Sequence, residues 1–204
     1  MKKLLLAVTL TLATTGLAQA AGDPVAGQQK AAVCAACHGA NGVSMVPNWP
    51  NLAGQHASYL TNQTIDIRDG RRSVPEMVGI VDNLTDQDIM DISAFYARQP
   101  ANLGQADPAL AERGRDLYRA GDIAKGIPAC TACHMPNGGG NGPAAFPALS
   151  GQHPTYTINQ LQAFRDGRRH NDPNAMMRMI AEKMTDAEME AVASYMYGLH
   201  GTNR

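Results

Sequence analysis

Two pentapeptides hold all four cysteines of the chain: Cys34-Ala35-Ala36-Cys37-His38 and, 96 positions later, Cys130-Thr131-Ala132-Cys133-His134. Two thiols separated by two residues and followed at once by histidine form the attachment signature of c-type haem. Both thiols add to porphyrin vinyl groups and the imidazole ligates the iron. The spacing predicts two covalent haem c groups, one on Cys34 and Cys37 with His38, the other on Cys130 and Cys133 with His134. Two chemistries compete. Cysteines of an exported chain pair as disulfides by default, but that leaves the repeated trailing histidine unexplained. Two Cys-x-x-Cys pairs can also build a zinc site, although such pairs usually lie closer in sequence and the rest of the repeat would then have no reason.

The group on the other side of each iron sets its chemistry. Methionine gives a relatively high potential, histidine a lower one, and an open position permits ligand binding or peroxide chemistry. Met77 lies eight residues before Thr85 and Met177 eight before Thr185, each in a proline-bearing loop after a double arginine. These two are the expected distal ligands, with Met176 and Met179 as alternatives to Met177. His56 and His153 also match across the repeat and would close bis-histidine sites. They directly follow a Pro-x-Leu-x-Gly turn and open a helix, which suits surface or propionate contacts better. The carbonyl of Pro50 or Pro147 is a candidate acceptor for the Nδ1 proton of its proximal histidine. Arg71, Arg72, Arg168 and Arg169 are candidates for neutralising propionates, or for solvated helix ends; Trp49 and Phe146 are candidate walls of the haem crevices. Met90, Met184 and Met189 read as core, and His170 and His200 as solvent-exposed.

The elements that must position these residues begin after a leader. Lys2 and Lys3, the apolar run Leu4 to Leu17 and Ala18-Gln19-Ala20 form a secretory signal peptide over residues 1–20. Its apolar run is broken by threonines and falls short of the roughly 18 residues a retained span needs. Cleavage after Ala20 leaves 184 residues in an exported, oxidising compartment. Asp23-Pro24 and Asp107-Pro108 each give an N-cap with proline in the first turn. They open helices through Gly27 to about Val33 and through Gly114 to about Arg119. The glycines inside these helices cost stability and imply close approach by another helix. Glycine- and proline-rich loops lead to Trp49-Pro50-Asn51-Leu52-Ala53-Gly54-Gln55-His56 and Phe146-Pro147-Ala148-Leu149-Ser150-Gly151-Gln152-His153. Helices starting near Tyr59 and Tyr156 then close on an identical Asp-Gly-Arg-Arg. Thr85 and Thr185 cap the last helix of each half, whose apolar residues recur at helical spacing.

Pro100 and Gly104 punctuate a linker over 98–105, and no alternating pattern is long enough for a sheet. The reading is all-α: an N-terminal monohaem domain over 21–104 and a C-terminal one over 105–204, products of duplication. Without Lys2 and Lys3 the chain carries 15 basic and 18 acidic residues, so it has no electrostatic footprint for nucleic acid. Residues 21–104 hold 5 basic and 8 acidic groups and residues 105–204 hold 10 of each, a slight bias between the halves.

On the two Cys-x-x-Cys-His sites, the matched Pro-x-Leu-x-Gly-Gln segments and Met77 with Met177, the chain resembles the diheme cytochrome c4 family, a class I c-type cytochrome duplicated in tandem. The resemblance implies His/Met ligation at both irons, with the haems close together at the domain interface. It also implies a periplasmic carrier, at most peripherally bound to the membrane, that takes electrons from a quinol-cytochrome c reductase-type donor and passes them toward a terminal oxidase. The competing class is a diheme peroxidase-like enzyme with one open haem site, against which the near-identity of the halves argues. A third is a module that uses its cysteines directly.

Overall fold

The computed structural model describes residues 22–200; the leader and its cleavage point lie outside the described residues. The N-terminal half contains α1 (Pro24–Lys30), α2 (Ala35–His38), α3 (Ala57–Arg68) and α4 (Asp86–Ala97). The C-terminal half contains α5 (Pro108–Ala120), α6 (Thr131–His134), α7 (Pro154–Arg165), α8 (Met176–Ala181) and α9 (Asp186–Tyr197). Among the described residues there is no strand beyond two isolated bridges, Asp122 with Ile127 and Asn141 with Phe146.

The expected start signals act as written. The Asp23 and Asp107 side chains accept from the N–H of Val25 and Ala109, with proline in the first turn of α1 and α5. Thr85 with Asp88, and Thr185 with Glu188, close reciprocal capping boxes at α4 and α9. The α1 helix ends at Lys30 rather than Val33, because residues 31–34 turn to set up the separate single turn of α2.

In each half the first helix crosses the last, and a glycine is the reason they can touch. A Cβ on Gly27 would lie 1.9 Å from the Asp91 carbonyl oxygen of α4; one on Gly114 would lie 2.2 Å from that of Ala191 in α9. The N-terminal core of Ala31, Leu60, Ile92, Phe95 and Tyr96 packs against Cys34. The larger C-terminal core around Leu117, Leu161, Phe164, Met189 and Val192 packs against Cys130 and Met177. Met184 and Met189 are core residues as expected, whereas Met90 is only half-buried. Residues 98–107 form no helix, yet they are packed: Asn102 Nδ2 donates to the Gly151 carbonyl (3.0 Å), and Gly104 leaves no room for a Cβ against the Tyr197 ring.

Candidate functional site

A single helical turn aligns Cys34, Cys37 and His38 on one face, since positions three and four apart are neighbours; α6 does the same for Cys130, Cys133 and His134. All four thiols are unpaired. Burial pushes the Cys34 thiol up, and that of Cys130 up to about 11. Among the described residues no group of three or more His, Cys, Asp or Glu side chains is placed to hold a metal ion, so the two thiol pairs do not share a zinc-type cluster.

Both histidines are oriented from behind. His38 Nδ1 lies 2.9 Å from the Pro50 carbonyl oxygen and His134 Nδ1 3.0 Å from that of Pro147, which assigns the proton to Nδ1. Neither Nε2 has a hydrogen-bond partner among the described residues, which leaves its lone pair free. Burial lowers the basicity of both rings, outweighing the carbonyl contacts that raise it, and so favours the neutral imidazole that a metal requires. Phe146 sits with its ring centroid 6.3 Å from that of His134. A neutral imidazole with a free Nε2, beside two thiols on one turn, fits a covalently held haem.

The methionine segments differ in build. Met77 ends a 3₁₀ turn (Pro75–Met77) and is half-buried. In the C-terminal half, Asn174 and Ala175 both adopt left-handed conformations, φ 54° and 56°, and this double reversal starts α8 at Met176. Met177 packs against the core while Met179 is 51% exposed. Met176, like Met177, is half-buried.

His56 and His153 point elsewhere. His56 Nε2 bonds the Gly139 carbonyl (2.7 Å) and His153 Nε2 that of Ser44 (3.0 Å), each in the opposite half. They belong to a pseudo-twofold seam in which residues 97 apart exchange roles. Gln55 bonds the main chain of Ala148, and Gln152 that of Asn51. Deeper in, Arg72 donates to Gln63, Tyr156 and Gln160, while Arg169 donates to Gln160, Tyr59 and Gln63. Both arginines are 8% exposed, and among the described residues neither forms an ion pair with a carboxylate. Arg71 and Arg168, by contrast, are exposed and paired with Asp66 or Asp69, and with Asp166. Two buried cations without carboxylate partners suit anionic propionates brought by a cofactor.

The seam was the part sequence reasoning missed. Its signal was present: Tyr59, Gln63, Tyr156 and Gln160 keep polar tips at matched helical positions that a domain core does not need.

The two halves thus present one arrangement twice, which defines a duplicated c-type cytochrome, two tandem cytochrome c domains. The cytochrome c family profile matches residues 24–97 and again 111–200. A cytochrome c4 of Pseudomonas aeruginosa is 53% identical over 201 residues, covering 98% of this chain and all of that one. The crystal structure of reduced recombinant cytochrome c4 from Pseudomonas stutzeri superposes with a TM-score of 0.86 at 49% identity, over 88% of this chain and 100% of that one. A protein of Stutzerimonas stutzeri named thiosulfate dehydrogenase electron acceptor is 41% identical, over 81% of this chain and 78% of its own. The chain belongs to the cytochrome c4 family. It is an electron-transfer protein with two haem c groups, not an enzyme.

Proposed function

We propose that the protein carries electrons in the periplasm through two covalently held haems. Cys34 and Cys37 would hold one covalently, with His38 and Met77 as its iron ligands; Cys130 and Cys133 would hold the other, with His134 and Met177. Haem c supplies the one-electron couple. The protein's residues would do the rest: the Pro50 and Pro147 carbonyls fix the His38 and His134 rings, Arg72 and Arg169 would receive propionates, and Met77 and Met177 would supply the remaining iron ligands. The observation carrying this reading is the repetition of one imidazole–carbonyl arrangement in both domains, with a half-buried methionine segment in each. His56 and His153 are unsuited to ligation because their Nε2 atoms are engaged across the seam.

The domain division follows the same reading, with the leader cleaved after Ala20, one domain over 21–104 and the other over 105–204. Within a respiratory chain the donor is a quinol-cytochrome c reductase and the acceptor a terminal oxidase. The relative named for thiosulfate dehydrogenase makes a dehydrogenase of that kind the alternative donor. Among the described residues no helix is long and apolar enough to cross a membrane, which supports at most peripheral association.

A redox titration of wild type beside Met77→Ala and Met177→Ala tests the ligands. Two one-electron steps are expected, with the iron–sulfur charge-transfer band lost from one haem per variant. An intact band in Met177→Ala moves the ligand to Met176 or Met179, and no band in wild type refutes methionine ligation.

A further inference from the structure

One peptide group stands between each seam glutamine and a histidine of the opposite domain. The Pro50–Asn51 peptide accepts from His38 Nδ1 at its carbonyl (2.9 Å) and donates its N–H, on Asn51, to Gln152 Oε1 (2.9 Å). The Pro147–Ala148 peptide stands likewise between His134 Nδ1 (3.0 Å) and Gln55 Oε1 (2.8 Å). Each glutamine also donates Nε2 to the next carbonyl, of Asn51 or Ala148, at 2.9 Å, so the amide orientation is determined by both contacts. Gln55 is 6% and Gln152 9% exposed, so both relays are largely buried.

An amide whose N–H is engaged is polarised and accepts more strongly at its own carbonyl. A stronger acceptor behind Nδ1 makes the imidazole a more basic ligand, and a more basic ligand favours ferric iron. We propose that Gln55 and Gln152 are positioning residues acting across the seam: through one peptide group, each lowers the reduction potential of the haem in the opposite domain. This rests on His38 and His134 being the proximal ligands. Neither domain has its final potential until the two are docked. The relays are not equal, because Asn51 Nδ2 also bonds the Gly151 carbonyl (3.0 Å), whereas Ala148 at the matched position has no such group.

The test uses the full-length holoprotein, with spectroelectrochemical titration and haem-methyl NMR resonances assigning each step to its domain. Gln152→Leu should shift the one-electron equilibrium of the N-terminal haem about threefold toward reduction, about 28 mV at 59 mV per tenfold, and leave the C-terminal haem unmoved. Gln55→Leu should do the reverse. Gln152→Glu and Gln55→Glu, which keep an acceptor for the peptide N–H, should hold the opposite haem at or below its wild-type potential. They decide the matter alone if the leucine variants do not fold. No shift, a shift confined to the mutated domain's own haem, equal shifts at both, or a rise in the glutamate variants overturns the proposal. Hyperfine-shifted ring protons of His38 and His134 in ferric wild type report ligation separately. Their absence refutes the ligand reading; their presence with unmoved potentials refutes only the relay.

Discussion

Alanine at Gly27 should weaken the N-terminal domain even though alanine is the better helix former. The new Cβ would meet the Asp91 carbonyl oxygen at 1.9 Å, and that gap must open to the 3.4 Å of ordinary contact. The obstructing atom is backbone of α4, so no side-chain rotation relieves it. A gap of 0.5–1 Å already forfeits roughly a quarter to a half of the dispersion energy of facing atoms, and overpacking of this kind costs about 3 kcal/mol. Better helix propensity returns about 1 kcal/mol, for a net loss of about 2 kcal/mol. Trp49, the single tryptophan of the chain, lies in this domain and reports its unfolding by fluorescence. In guanidinium chloride, with a slope of about 3 kcal/mol/M, the Trp49 transition should fall by roughly 0.7 M. A midpoint equal to or above wild type would refute the close-crossing argument. Gly114→Ala repeats the test in the other domain, where Ala191 oxygen stands 2.2 Å away.

Met135 follows His134 at φ 65°, ψ 156°, where its counterpart Gly39 has φ 77°, ψ 152°. This region strongly favours glycine, so Met135→Gly should stabilise the C-terminal domain by about 1 kcal/mol in denaturant titrations. For Glu188, burial would raise the carboxyl, but hydrogen bonds from Lys125, Thr185 and Arg113 win and hold it at about 2. The folded carboxyl therefore binds its proton more weakly than an unfolded glutamate near ~4.3. Its contribution is complete above that pH and lost as pH falls toward about 2. Glu188→Gln should flatten the acid limb of C-terminal domain unfolding; an unchanged limb would contradict the assignment. Arg72→Leu should leave the Tyr156 hydroxyl without its donor and Gln160 with Arg169 alone, and cost about 2 kcal/mol at the seam. Calorimetry should then show the domains melting in separate steps.

Local signals were readable because they act within a few residues. The Asp-Pro caps, the Thr85 and Thr185 boxes and the two Cys-x-x-Cys-His turns each depend on contacts inside one helical turn, and each forms where the residues stand. Gly27 and Gly114 were legible as close crossings because a helix-interior glycine otherwise carries only a cost. The seam was not legible in the same way. Periodicity tells which face of a helix turns inward, but not which polar face meets another domain. His56, His153, Arg72 and Arg169 therefore suited surface or propionate roles in sequence, and only in three dimensions does it show that all four also bond across the halves. The start of α8 was hidden for another reason: Asn174 suits a left-handed turn, but Ala175 beside it adopts the same conformation without glycine, and alanine gives no sign of it.

The pseudo-twofold seam also bears on how the join is held closed. Its glutamine, histidine and arginine contacts are each made twice, and the packed segment 98–107 spans it without slack. A short tether of this kind confines one domain near the other at an effective concentration on the order of millimolar. An association far too weak to hold separate domains together in dilute solution therefore suffices here. The surface can stay polar, which guards against capture of stray copies, while the pair inside one chain remains shut. Lengthening residues 98–107 with flexible sequence would expose that dependence: the join would pass from permanent to intermittent without a single contact being altered.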